Sequence, residues 1–286
     1  MIIAIFSDVH GRAQLCFKLC TRWQQETGEQ IDLILQAGDL GAFFSEVSLD
    51  RATRRYAQSD PSELGFLHNF VQYDPLIEKD LAKISCNLVF VRGNHEDHVW
   101  LDQLEQKVEG PTFPVDAYKR IYCLRTGISY VFQRGDEQLC VLGVGRICAR
   151  DNEEALQQAK YIQRYESERI VELGNVTVDV LLTHDAPRKY VYPESGLEEI
   201  SLILEQYKPS YHFFGHYGGP HKQSIYPQSG TQMHKLADLH WGKSISSTLE
   251  EGSMGILRWQ NKNENSFEVV NTTWMKEYTW HRWRHL

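Results

Sequence analysis

The sequence predicts an α/β protein, a four-layer α/β-β/α sandwich of two mixed sheets with helices on the outside. Three observations predict it. Short, largely apolar runs at residues 2–6, 33–35, 88–91, 178–182 and 212–214 have the length and character of buried strands. Stretches with helical spacing of apolar residues lie between them. Clusters of shorter runs near 120–145 and beyond 221 break the alternation, so the order is β/α, hairpins, β/α, hairpins.

In chain order, the run at 2–6 is followed by Leu15, Cys16, Leu19, Cys20 and Trp23 at helical spacing, which makes a β-to-α unit. Residues 33–35 form the next buried strand. Residues 42–84 interrupt the sheet with helical pieces: Leu64, Leu67, Phe70 and Val71 in one helix after Pro61, and Leu76, Ile77, Leu81 and Ile84 in another from Pro75. The sheet resumes at 88–91, and Glu96 is expected to help start a helix over 97–104.

Runs at 121–124, 129–132 and 139–144, split by Thr126-Gly127 and Arg134-Gly135-Asp136, read as antiparallel hairpins. Ala155, Leu156, Ala159, Ile162 and Val171 mark one face of a long helix, and Leu197, Ile200, Ile203 and Leu204 mark another helix after the strand at 178–182. Runs at 255–259 and 267–270 flank a polar turn, Asn261 to Asn265. With no repeat or flexible linker, a single domain over 1–286 is expected, with a helical insertion at about 42–84 and an aromatic-rich tail over 271–286.

The chain's 42% hydrophobic and 24% charged residues are ordinary for a globular protein. A net charge of −8 supplies no basic field to hold long duplex nucleic acid. No apolar run has the length of a membrane span. The first residues lack a basic flank and run straight into Ser7-Asp8, as a strand does and a signal peptide does not. Six cysteines without a CxxC pair read as buried thiols in a reducing compartment, so a cytoplasmic location is expected.

The chemistry sits at the ends of the five buried runs. There stand Asp8-Val9-His10, Gly38-Asp39, Gly93-Asn94-His95-Glu96, Thr183-His184 and Gly215-His216. Ends of neighbouring strands converge, and converged they offer carboxylates, imidazoles and one amide, a ligand set for hard or borderline divalent ions. On an extended backbone Asp8 and His10, separated by Val9, would point to the same side.

This series resembles the calcineurin-like metallophosphoesterase superfamily, with Asp8-x-His10 and Asn94-His95 its most specific elements. The resemblance implies two divalent ions, Mn, Fe or Zn: one held by Asp8, His10 and Asp39, the other by Asp39, Asn94, His184 and His216. It implies hydrolysis of a phosphate mono- or diester by metal-activated hydroxide, with His95 as general acid rather than ligand. Two alternatives stand beside this reading. One is a non-catalytic interaction module, as in the retromer subunit with this fold. The other is a nuclease-type phosphodiesterase acting on small or single-stranded nucleic acid.

The pattern departs from the family in two places. The family's last motif reads Gly-His-x-His, whereas this chain has Gly215-His216-Tyr217-Gly218, so Gly218 stands where a histidine of the first ion is expected. Water could fill the position, His221 could reach in, or the first ion could be weakly held. The segment after Gly38-Asp39 also lacks the extended motif, with its phosphate-gripping arginine, of the protein serine/threonine phosphatases that Arg92-Gly93-Asn94-His95-Glu96 resembles.

No substrate-binding residue is assigned by this reading. Arg12 and Arg146 follow strand ends and either face the ions or are solvated surface arginines. The insertion, with Phe43, Phe44, Arg51, Arg54, Arg55 and Tyr56, is either a substrate lid or a helical cover for a sheet edge. In the tail, Trp274, Trp280 and Trp283 either pack back on the domain or serve self-association or partner docking.

Overall fold

The computed structural model describes residues 1–149, 158–241 and 248–286. The strands are β1 (Ile2–Phe6), β2 (Leu33–Gln36), β3 (Asn87–Phe90), β4 (Thr112–Pro114), β5 (Ile121–Leu124), β6 (Ser129–Arg134), β7 (Glu137–Val144), β8 (Val180–Thr183), β9 (Tyr211–Phe214), β10 (Lys222–Ile225), β11 (Gln232–Lys235), β12 (Gly255–Asn261) and β13 (Glu264–Val269). The helices are α1 (Ala13–Thr27), α2 (Arg51–Tyr56), α3 (Gly65–Phe70), α4 (Pro75–Leu81), α5 (His98–Glu105), α6 (Arg164–Val171) and α7 (Glu198–Tyr207).

The strands form two mixed sheets, ordered β13-β12-β1-β2-β3-β5-β4 and β10-β11-β9-β8-β7-β6. Strand alternation builds the layers. Ile3, Ile5, Leu33, Leu35 and Val89 of the first sheet meet Val141, Val180, Leu182 and Phe213 of the second in a core between the sheets. Ala4, Phe6, Ile34, Leu88 and Phe90 face outward onto α1 and α3, and Leu142, Leu181, Phe214 and Met233 face outward onto α6 and α7. The expected four layers are present.

The parallel neighbours β1, β2 and β3 in one sheet, and β8 and β9 in the other, all deliver their C-terminal ends to one edge of the sandwich. That convergence places the polar segments together.

Three local expectations are corrected. First, the runs at 121–124 and 129–132 do not pair with each other. β5 joins the first sheet beside β3 and β4, and only β6 and β7 form a hairpin. The link between β5 and β6 turns at Gly127, in the left-handed region at φ +72°, and carries the chain from one sheet to the other. Second, among the described residues the expected long helix after β7 is represented only by its C-terminal part. Ala155 and Leu156 lie outside the described residues, Ala159 and Ile162 are not helical, and α6 begins at Arg164 behind a Gln163/Glu166 capping box. Third, Asp97 rather than Glu96 caps α5, accepting from Trp100 N at 3.1 Å.

The tail folds back onto α1. Trp274 and Trp283 are buried, and Lys18 Nζ donates to the Leu286 carbonyl oxygen at 2.8 Å. No helix among the described residues is long and apolar enough to cross a membrane.

Arg12 is not a solvated surface arginine, although it lines the cavity into which Asp8, His10 and Asp39 open. It is buried and bonds Asp60 at 2.6 Å, Glu63 at 2.8 Å and Ser62 Oγ at 2.9 Å, tying the insertion to the first strand end. Arg146 is likewise fully buried, pairing with Asp102 at 2.7 Å and Glu166 at 2.9 Å. Removing such a guanidinium leaves carboxylates uncompensated, so Arg12→Ala should lower unfolding stability by about 3 kcal/mol in chemical denaturation. An unchanged midpoint and slope would mean that the insertion is not anchored this way.

Candidate functional site

Backbone geometry sets the site before any side chain does. Asp8 and His10 are not extended: both lie in the left-handed region at φ 46°, as do Asp39 at 54° and His216 at 70°. The expectation of an extended Asp8-x-His10 is therefore wrong, although both side chains do reach one centre. Left-handed backbone costs a non-glycine residue on the order of 1–2 kcal/mol. Hydrogen bonds between the first two strand-end loops hold it in place. Asp8 N donates to Gly38 O at 3.1 Å, Val9 N and His10 N to Asp39 O at 2.9 and 2.8 Å, and Gly11 N to Leu40 O at 2.7 Å.

Glycines clear the space into which the polar side chains crowd. A Cβ on Gly38 would lie 2.5 Å from the His184 ring, on Gly93 2.0 Å from Asp39 Oδ1, and on Gly215 2.0 Å from Asp8 Oδ2. This is why glycine precedes Asp39, Asn94 and His216 in the sequence.

Two ligand clusters result. Asp8, His10 and Asp39 present donor atoms within 4.8 Å of one another, and so do Asp39, His184 and His216. Asp39 belongs to both. Its Oδ2 lies 3.3 Å from His184 Nε2, and its Oδ1 accepts from His95 N at 2.7 Å. Asn94 joins the second cluster, with Oδ1 at 3.2 Å from His184 Nε2. His184 Nδ1 lies 2.9 Å from Ala37 O. A carbonyl only accepts, so Nδ1 carries a proton, and Nε2, facing the cluster, is the nitrogen that would give up its proton to a bound cation.

The charge balance favours a cation. Burial disfavours charge on Asp39, but His184, His95 and His10 outweigh it and hold the carboxyl well below its ordinary range. Burial likewise disfavours the His184 cation, yet the Asp39 and Asp8 carboxylates push that imidazole up to about 10. A positive charge at this point is favourable, which is what a divalent ion would supply, with release of protons.

His95 stands beside the clusters, its ring centroid 5.5 Å from that of His10. Its Nδ1 is 2.8 Å from Asp50 Oδ2. Burial opposes its charge, but Asp39 and Asp50 raise its pKa to about 9. Asp50 itself is fixed by capping α2, accepting from Ala52 N at 2.7 Å and Thr53 N at 2.9 Å. The insertion thus supplies a partner to His95. Sequence reading missed Asp50; its cap position before Arg51-Ala52-Thr53 was legible, its contact with His95 was not.

Glu96 is buried and accepts from Leu40 N at 2.8 Å and Ala42 N at 2.7 Å, which shapes the loop that carries Asp39. Burial and the Asp39 charge push its carboxyl up to about 8.

The clusters open into a cavity also lined by Tyr56 of the insertion and by Gly218, Asp238 and His240. Sequence reading missed the last two, although they repeat the Asp-x-His spacing of Asp8 and His10. His221 does not reach in: its Nε2 lies 3.2 Å from His234 Nδ1.

A calcineurin-like phosphoesterase family profile matches residues 1–219, all five strand-end segments included. The chain belongs to that family. Its fold is similar to that of TT1561 of Thermus thermophilus, at 15% identity and a TM-score of 0.50, with 94% of this chain and 99% of that one covered. A hypothetical protein from the same organism is similar at 13% identity and a TM-score of 0.47, over 94% and 99% of the two chains. Zinc-complexed Vps29 from Entamoeba histolytica is similar at 10% identity and 0.35, over 94% and 98%. At such identities the likeness is one of fold. No curated protein matches the sequence. Beyond the matched span, β10 and β11 extend one sheet, and β12 and β13 the other.

The glycine clearances make a direct prediction. Gly38→Ala combines a φ of +88° with a clash on His184, so calorimetric titration of the variant with Mn²⁺ should show affinity weakened at least about tenfold. Wild-type affinity would show that the cluster does not depend on this clearance.

Proposed function

We propose that the protein hydrolyses a phosphate ester at two adjoining divalent-ion sites, one formed by Asp8, His10 and Asp39, the other by Asp39, Asn94, His184 and His216. The observation that carries the reading is the sharing of Asp39 by two clusters that open into one cavity. Ions bound there supply Lewis-acid polarisation of the phosphoryl oxygens and an acidified water. The mixed oxygen and nitrogen donors suit Mn²⁺, Fe or Zn²⁺.

His95 acts as general acid. Asp50 occupies its Nδ1, so Nε2 is the nitrogen left to hold a proton for the departing ester oxygen. Asp50 fixes the ring's orientation and favours its protonated form. The buried core of the site, with Asp39, Asp8 and His184 at most 3% exposed, preorganises these groups at little cost when the substrate arrives.

Gly218 favours a second reading, an interaction module with a weakened first site. The Asp50–His95 pair speaks for turnover, because a retired site has no chemical use for an oriented proton donor. The metal-loaded protein should hydrolyse an aryl phosphate monoester or diester, and His95→Ala should lower kcat by roughly 10²–10⁴-fold. Asp50→Asn should lower kcat more modestly while ion content stays at the wild-type level. Wild type inert with Mn²⁺, Fe²⁺ and Zn²⁺ on both ester types would leave the module reading in its place.

A further inference from the structure

The position that Gly218 leaves is open in space as well as in sequence. A Cβ there would meet nothing within 4 Å, and Lys235 Nζ is occupied by the Gly218 and Gly219 carbonyls. The cavity wall opposite is formed by the segment after β11. Leu239 N donates to Asp8 O at 3.1 Å, and the Leu239 side chain is fully buried in the outer core. Asp238 and His240, on either side of it, line the cavity with Asp8 and His10.

Two atoms in this segment lack partners. Asp238 Oδ1 and His240 Nδ1 are buried and have no hydrogen-bond partner among the described residues. Leaving such a group unsatisfied costs about 1–3 kcal/mol, so two neighbours on one cavity wall need a physical reason.

We propose that Asp238 is a protein ligand of the ion held by Asp8, His10 and Asp39, compensating for the side chain absent at Gly218, and that His240 positions it. The inference rests on the two-ion reading above. It makes the sites chemically unequal. The first has three carboxylates and one imidazole; the second has one carboxylate, one amide and two imidazoles. The first is therefore the harder site, and relative to the second it favours Mn²⁺ over Zn²⁺.

The test is titration of the chelator-stripped full chain with Mn²⁺ and, separately, Zn²⁺, by calorimetry with elemental analysis. Wild type, Asp238→Asn, His240→Gln and His216→Ala are compared, and ion-free melting curves check that each variant folds. Wild type should bind two Mn²⁺. Asp238→Asn should lose one class of sites, with affinity at least tenfold weaker, and the loss should be larger for Mn²⁺ than for Zn²⁺. His216→Ala should lose the other class. Two sites of unchanged affinity in Asp238→Asn would overturn the assignment while leaving the two-ion reading intact. Loss in His240→Gln without loss in Asp238→Asn would also overturn it, as would a single wild-type site that Asp238→Asn does not touch. Wild type that binds no ion would remove the underlying reading itself.

Discussion

The site depends on one carboxylate placed where five strand ends meet. Asp39 is buried, its backbone oxygen holds the Val9 and His10 amides, one side-chain oxygen takes the His95 amide, and the other faces His184. Three independent devices put it there: a left-handed backbone at φ 54°, a glycine at position 93 with no Cβ to displace it, and Glu96 holding the loop that follows. Each is a local cost that the two sheets around it offset. Through that placement the histidines and carboxylates form two clusters that share Asp39.

The second consequence concerns the insertion over residues 42–84. Its charged residues do not merely cover a sheet edge. Asp60 and Glu63 clamp Arg12, and Asp50 reaches His95 while capping its own helix. Packing of the insertion and orientation of the candidate acid are therefore mechanically linked. Tyr56 on the cavity wall belongs to the same segment, so the insertion also shapes the cavity.

Much of this was legible in the sequence because buried parallel strands are continuous in hydrophobicity and end abruptly in polar residues. The runs at 2–6 and 121–124 match strand for strand, and the prolines at 61 and 75 mark helical starts. Illegible were features set by long-range geometry. The sheet to which β5 belongs is decided by its pairing with β3, not by its own residues. The left-handed turns at Asp8 and His10 have no signature in an Asp-x-His string. The role of Glu96 differs from expectation because amides of residues 40 and 42, distant in sequence, claim its carboxylate first. Asp50 was illegible as a partner of His95 for the same reason, since it arrives from a segment whose own local pattern says only cap.

Asp39 belongs to both candidate clusters, so two ions would share its carboxylate. The most direct measurement is anomalous X-ray diffraction from crystals equilibrated with Mn²⁺. Two peaks are expected, one on either side of the Asp39 carboxylate, with Asp8 and His10 at the first and His184 and His216 at the second. A single peak away from Asp39, or no peak at millimolar Mn²⁺, would contradict it.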